Sequence, residues 1–487
     1  MSLKSPGARA DMTSSRVCLL LRRPLMQSAA PKLLIEVDAL RVGMFVHLEG
    51  GWMSHPFPLS NFRLATDEQV MTIRALGVKR VRWSPHQSDS ALTAELIDAG
   101  ASGSSHMETS LATSTLPATT TAPDTTATPT TPATLAESTD TDTDTDTDTD
   151  TDTASRREHR EKLAAQRDAL LICEQQFAEA AGECKQLVAL VLTKPLESRD
   201  KADSLTRALL GKMLGEHELC IRLLSEGVGD MASTHALNVT VISMLMGRAF
   251  GLPEPDMLDL GMGAMLHDIG KVELAERLHH REGNFSSADV RAYEGHVACG
   301  VAVARRMHLS VGATQVIAQH HEHADGTGFP ARLNTDRMTT AARIVALVNS
   351  YDNLCNPHLP SKALTPHESV SLLFMQGKSK FDTGILGAFI KMMGVYPAGS
   401  TVQLTDDRYA MVVGVNSSRP LKPQVLVHEA GMACDEALIL DLEKAQGLGI
   451  RRCIKPLQLP AAALEFLAPR QRVAYFFEPA VGASRAA

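Results

Sequence analysis

The sequence predicts a mainly α-helical protein, with a small α+β domain ahead of the helices and a β-containing extension behind them. Three observations predict it. Between about residues 156 and 394 apolar residues recur at helical steps, with no convincing strand pattern. Both flanks instead alternate apolar and polar residues, as strands do. A tract rich in Thr and Asp, residues 91–155, separates the front flank from the helices. The chain has 487 residues, of which 44% are hydrophobic. That is room for about two to four folded units at ~100–200 residues each. It excludes a wholly disordered chain and a small disulfide scaffold.

Residues 1–31 read as a disordered leader and residues 32–88 as the small domain. Within it, the segments from Ile35 to Leu40 and from Met44 to Leu48 alternate like strands, and Trp52, Phe57 and Phe62 supply apolar bulk. Asp67 to Leu76 reads as one short helix ended by Gly77, and Val78 to Trp83 alternates apolar and basic residues. The tract 91–155 ends in seven Thr–Asp pairs, Thr139 to Asp152. Its β-branched residues and mutually repelling carboxylates bury almost nothing, so an extended, disordered linker is expected. Ten carboxylates lie between Ala101 and Ser155, and removing them from the net charge of −8 leaves +2 for the rest of the chain. The acidity therefore belongs to the linker and describes no folded surface.

Residues 156–228 read as a helical connector. Leu163, Leu170, Leu171, Phe177 and Ala178 recur at helical steps until Pro195, and Ser204 to Ser225 reads as a second helix stopped by Gly227 and Gly229. Its apolar stripe suits packing on its own domain or a homodimer with a second chain. From Gly229 to about residue 394 the chain reads as a series of helices. Beyond Gly394, the segments Ser400 to Leu404, Tyr409 to Val413 and Gln424 to His428 read as strands of the extension, residues 396–478. Eight scattered cysteines without a C-x-x-C pair fit reduced thiols. The apolar stretch Val17 to Leu21 is too short for a signal core, and no run reaches the ~18 apolar residues of a membrane span. A cytoplasmic protein without membrane association is expected. No basic patch with interleaved aromatics appears, so nucleic acid is not an expected partner.

Chemistry enters through histidine. Nine of the 18 histidines fall between residues 229 and 330: His235, His267, His279, His280, His296, His308, His320, His321 and His323. His267 and Asp268 are adjacent within Leu266-His-Asp-Ile-Gly-Lys271. Neighbours on a helix project about 100° apart, so the pair does not serve one metal by periodicity. Two neighbouring metals solve the geometry, with the imidazole on one and a carboxylate oxygen for each. The apolar run from Met262 to Leu266 would bury such a site. His320 and His321, again adjacent, can each face a different metal. They lead into Asp325-Gly326-Thr327-Gly328-Phe329-Pro330, a stiff loop in which glycine permits positive φ and proline fixes it. His279 and His280, among Glu276, Arg277 and Arg281, read as a solvated helix face, and Met244, Met246, Met262 and Met265 as core filler.

The ordered set His235, His267-Asp268, His296 and His320-His321-Glu-x-x-Asp-Gly-x-Gly-Phe-Pro, at gaps of 32, 29 and 24 residues, resembles the HD-GYP domains of the HD phosphohydrolase superfamily over about residues 205–395. Leu40-Arg-Val-Gly-Met-Phe-Val with Trp52 and His55-Pro56-Phe57 resembles the accessory domain that often precedes them. The resemblance implies an HD-type helical bundle and a phosphodiesterase that hydrolyses cyclic di-GMP to pGpG or GMP. A hydroxide shared by two divalent metals, iron or manganese, would attack phosphorus. It implies metal ligation by His235, His267, Asp268, His296, His320, His321 and Asn349, with Asp268 bridging. Asp268 and Lys271 would carry catalysis, and Lys271, Asp325, Gly326, Gly328, Phe329, Pro330 and Lys362 would meet substrate. A diguanylate cyclase-type signalling partner is in keeping with this.

The chain departs from the family pattern at four positions. Asn349 stands where the family usually has a ligating Asp, with the second acid kept as Asp352. Met231 stands where some members have a Glu for a third metal, which leaves two metals. His358 replaces a phosphate-binding Arg, and Phe329 replaces the Tyr of the family name. Asn349 and His358 motivate an alternative reading, a catalytically impaired module that binds cyclic di-GMP or a partner protein. A phosphohydrolase acting on another nucleotide is the third.

Overall fold

The computed structural model describes residues 33–48, 55, 57, 61–89, 147–214, 218–280, 285–417 and 419–479. The leader, Trp52 and residues 91–146 of the linker lie outside them. The described residues fall into two units, one of residues 33–48, 55 and 61–89 and one of residue 57 with residues 147–479.

The smaller unit is a four-stranded antiparallel sheet with one helix. Strands β1 (Leu33–Glu36), β2 (Phe45–His47), β3 (Asn61–Arg63) and β4 (Arg80–Trp83) lie in the order β1-β4-β2-β3. Helix α1 (Asp67–Ala75) starts where the Thr66 side chain accepts from the Gln69 backbone N–H. Gly77, at φ +73°, turns the chain after it. Alternation along β4 buries Val81 and Trp83 and exposes Arg80 and Arg82, as the sequence predicts.

The larger unit is the helical bundle with a sheet against it. Helix α2 (Thr147–Leu190) begins inside the last Thr–Asp repeats and folds back at Pro195 into α3 (Pro195–Met213). The bundle continues with α4 (Met231–Ala249), α5 (Glu254–Met265), α6 (Ser287–Glu294), α7 (His296–Arg306), α8 (Val311–Gln319), α9 (Thr340–Cys355), α10 (Pro366–Gln376) and α11 (Thr383–Met393). Helix α4 is its axis, with every residue from Leu237 to Gly247 buried. Met244, Met246, Met262 and Met265 are all buried, as expected of core filler. Side-chain caps start six of these helices: Asp230 at α4, Ser286 at α6, Ser310 at α8, Thr339 at α9, Thr365 at α10 and Asp382 at α11.

Three elements depart from the sequence expectation: Val37–Ala39, within an expected strand, is a 3-10 turn, α2 starts at Thr147 inside the tract expected to be extended, and a strand, Leu219–Leu223, replaces part of a helix. The helix expected over Ser204 to Ser225 ends at Met213, and Leu219–Leu223 forms strand β5. All five residues are buried. They pair with β7 (Tyr409–Asn416) and β11 (Tyr475–Pro479), about 200 or more residues away in sequence. Pairing over that separation outweighs a local helical pattern. The remaining strands are β6 (Thr401–Leu404), β8 (Gln424–Val427), β9 (Ile439–Asp441) and β10 (Ile450–Cys453), with the short helix α12 (Ala461–Leu467) before β11. The path runs β10-β6-β7-β5-β11, and β8 and β9 branch from β7. The predicted β-containing extension is thus one sheet that borrows β5 from the helical region. Among the described residues no helix is long and apolar enough to cross a membrane.

Candidate metal centre

Five histidines and one aspartate meet inside the bundle in two overlapping groups. His235, His267 and Asp268 form one, and Asp268, His296, His320 and His321 the other; within each group the ligand atoms lie within 4.8 Å of one another. Asp268 belongs to both. Its Oδ2 is 3.5 Å from His267 Nε2 and 3.7 Å from His235 Nε2, while its Oδ1 is 3.4 Å from His296 Nε2 and 3.7 Å from His320 Nε2.

Two local expectations are corrected. His267 and Asp268 do not lie on a helix, because α5 ends at Met265 and they form the corner before a 3-10 turn, Ile269–Glu273. Gly270 makes that corner possible: a Cβ there would stand 1.9 Å from the His296 carbonyl oxygen and 2.4 Å from the Gly300 nitrogen. The turn therefore lies directly on α7 and delivers Asp268 to His296. The adjacent His320 and His321 also fall in the same group rather than one in each. His320 is the residue that ends α8, so the chain is already leaving the helix where helical projection was assumed.

Helix ends also fix the histidine tautomers. The last carbonyls of a helix lack an intrahelical partner. His267 Nδ1 donates to Ala264 O at 2.7 Å, His296 Nδ1 to Tyr293 O at 2.5 Å and His320 Nδ1 to Ile317 O at 2.8 Å. Each acceptor lies three residues back, in the last turn of α5, α6 or α8. His235, one turn into α4, donates from Nδ1 to the fully buried carboxylate of Asp352 at 2.6 Å. All four rings thereby turn Nε2 inward as a lone pair.

These lone pairs test whether the residues fit a metal. His235 and His267 oppose their Nε2 atoms at 3.1 Å, and His296 and His320 at 3.3 Å. Two lone pairs at that separation need a proton or a cation. Burial opposes the proton, pushing His296 down to about 4 and His267 and His321 well below the usual imidazole range. His321 Nε2 and Asp268 Oδ1 are buried without a hydrogen-bond partner. Burial acts to raise the Asp268 pKa, but Lys271 and the surrounding imidazoles hold it well below the usual carboxylate range. Neutral imidazoles, orphaned acceptors and one shared carboxylate fit two divalent cations.

A pH dependence follows. Unfolded imidazoles take up protons near pH 6.5, whereas His296 holds out to about 4. Between those values the unfolded chain binds more protons, so stability falls as pH falls, by up to ~1.4 kcal/mol per pH unit and imidazole. The midpoint of thermal unfolding in EDTA is expected to drop between pH 7 and pH 5. An unchanged midpoint would contradict neutral, buried rings.

Around the groups, Lys271 Nζ donates to Asp268 Oδ2 at 2.6 Å and lies 5.6 Å from the centre of the Tyr293 ring. Burial lowers the pKa of this ammonium, but Asp268 outweighs it and the net shift is upward. Phe329 stacks on His321 with ring centres 4.5 Å apart. Gly328 admits no side chain, since a Cβ would meet the His321 carbonyl oxygen at 2.5 Å. Asp325 is exposed and accepts from the Thr327 backbone at 3.0 Å, so its carboxylate serves the loop. Pro330 and Lys362 are exposed. Asn349 is buried on α9, and its side-chain oxygen accepts from Asn353 Nδ2 at 2.6 Å.

Sequence reasoning left several residues without a role. Glu322 is fully buried and accepts from the backbone of Ala331 at 2.6 Å and Leu333 at 2.8 Å, clamping the loop behind Phe329. Glu322→Ala strands both donors. It is expected to cost about 1–3 kcal/mol for each, measured by urea unfolding; a loss below ~0.5 kcal/mol would contradict the clamp. His280, expected on a solvated face, is half-buried and stacks on His358 with ring centres 4.4 Å apart. Its pKa is pushed down to about 4 by burial and by Lys271. No local pattern signals a contact between residues so far apart in sequence.

The chain is similar to known proteins in two regions. Residues 218–385 match the HD domain, and residues 32–200 match a domain of unknown function, DUF3391. A cyclic di-GMP phosphodiesterase of Pseudomonas aeruginosa is 24% identical over 404 residues, 81% of this chain and 84% of that protein. A 3′3′-cGAMP-specific phosphodiesterase of Vibrio cholerae is 25% identical over 164 residues, 34% of this chain and 35% of that protein. Among solved structures, an HD-GYP-type protein from Bdellovibrio bacteriovorus covers 74% of this chain and 98% of its own at 14% identity, with a TM-score of 0.36. The chain thus carries an HD domain preceded by a DUF3391 domain, and its relatives include cyclic di-GMP phosphodiesterases.

Proposed function

We propose that the protein is a metal-dependent phosphodiesterase hydrolysing cyclic di-GMP to pGpG or GMP. The observation that carries this reading is the pair of His/Asp groups joined by Asp268 with Lys271 on its edge. His235 and His267 would hold one divalent cation, and His296, His320 and His321 the other, with Asp268 on both. Iron or manganese suits such imidazole-rich ligation. When bound, the two cations supply Lewis acidity and a water acidified toward neutrality.

The chain's own residues do the rest. Helix-end carbonyls and Asp352 hold the imidazoles in one tautomer, so no ring must rotate during turnover. Lys271 offers its ammonium to a phosphoryl oxygen, where charge builds in the transition state. Phe329, braced on His321, presents a flat apolar ring to a purine base. Gly328 keeps the loop close behind it, and Gly326, at φ +75°, turns the loop. Asn349 brings no charge to a cation, and one lone pair of its side-chain oxygen already accepts from Asn353. That neutral, engaged amide favours a second reading, a cyclic di-GMP-binding or partner-binding module with impaired turnover.

The test is to load the full chain with manganese or iron and supply cyclic di-GMP, with 3′3′-cGAMP in parallel. Conversion of cyclic di-GMP to pGpG or GMP is expected. Binding without conversion supports the second reading, preference for 3′3′-cGAMP moves the substrate, and neither binding nor conversion overturns both readings.

A further inference from the structure

A buried hydrogen-bond network in the larger unit joins strand β11 to the metal centre. Asn238, on α4 and fully buried, donates from Nδ2 to Asp352 Oδ1 at 2.8 Å and to Val473 O at 2.9 Å. Its Oδ1 accepts from the Tyr475 backbone N–H at 2.9 Å. Asn356, just past α9, repeats the pattern: Nδ2 donates to Asp352 Oδ1 at 2.9 Å and to Val473 O at 2.9 Å, and Oδ1 accepts from Val473 N–H at 2.8 Å. Two amides thus hold both backbone groups of Val473, at the entry to β11, and both place their remaining donor on one oxygen of Asp352. The other oxygen of Asp352 holds His235 Nδ1. A second link runs beside it, where the Tyr475 hydroxyl lies 3.0 Å from that of Tyr351, the neighbour of Asp352 on α9.

We infer that the C-terminal strand is a working part of the metal centre. Asn238 and Asn356 are positioning residues that pass the place of β11 to Asp352 and so to the His235 imidazole. The asymmetry is the substance of the inference. The other three Nδ1 anchors are carbonyls within the bundle, so only the His235–His267 half of the centre depends on the extension. A buried carboxylate whose two oxygens are both held by donors is fixed in place; one that loses an amide donor can turn away from His235. Outer-shell partners of this kind typically change metal affinity by 10–100-fold. The inference rests on the metal reading of the site and is independent of which nucleotide is cleaved.

The experiment compares the full-length protein with Asn356→Ala and Asn238→Ser by titration with manganese alone. Bound metal is counted, and electron paramagnetic resonance distinguishes paired from isolated ions. Circular dichroism selects variants that fold. Asn356 is the milder site, because it is half-buried and past the helix end. Wild type is expected to bind two ions as a coupled pair. Each variant is expected to retain one ion at wild-type affinity and to bind the other about 10–100-fold more weakly, with the coupled signal lost. Asn356→Gln, which keeps both amide functions, should recover part of the second affinity. Two ions at wild-type affinity in both folded variants overturn the inference, as does equal weakening of both ions. Failure of both variants to fold also overturns it, since the network then holds the fold rather than one half of the centre. A wild type that takes up no manganese overturns the metal reading itself.

Discussion

Asp268→Asn is expected to reduce bound metal from two ions per chain to one or none and to cut turnover by at least about 10³-fold, well beyond the 10–100-fold typical of an outer-shell change. The amide keeps the shape of the carboxylate and loses its charge. Asp268 is the one carboxylate in both groups, and each of its oxygens faces a different set of imidazoles. Lys271 loses its counter-ion in the same step. Metal analysis and chromatography of the nucleotide products check the two halves. Two retained ions with turnover near wild type would show that Asp268 bridges nothing.

The largest stability effect is expected at Arg222 and Glu478, which pair at 2.7 Å between β5 and β11 with 3% and 7% of their surfaces exposed. Arg222 also donates to Gln424 at 3.3 Å, and the Cys173 thiol donates to Glu478 at 3.6 Å. Burial and that carboxylate push Cys173 up to about 12, so the thiol stays protonated. Truncating one partner leaves the other charge buried and unpaired. Glu478→Ala is therefore expected to cost about 3–5 kcal/mol in urea unfolding, while Arg222→Met with Glu478→Leu restores most of it. A loss below ~1 kcal/mol in the single variant would mean that water or another group already compensates Arg222. The loosened strand would be β11, so metal retention at His235 should weaken alongside.

Much of the metal centre was legible in the sequence because its residues travel in short, ordered motifs. His267-Asp268, His320-His321 and the glycines of the loop announce themselves by adjacency, and His235 and His296 by order and spacing. What stayed hidden is what distant chain segments decide. Asp352 is conspicuous as an acid, but its bond to His235 spans 117 residues. Asn238, inside α4, and Asn356, just past α9, look like ordinary amides until Val473 is brought between them. Strand β5 carries an apolar pattern compatible with a helix and becomes a strand because β7 and β11 lie on either side of it. The tautomers depend on where helices stop, and a shift of one residue at a helix end removes the carbonyl that fixes them. His280 was assigned by its charged neighbours, and its actual environment is set by His358.

Metal content measured on the purified full-length chain after loading with manganese or iron tests the central claim most directly. About two ions per chain, falling to one or none in Asp268→Asn, is the predicted result. One ion or none per wild-type chain, or two that persist without Asp268, would contradict a binuclear centre built on these six residues.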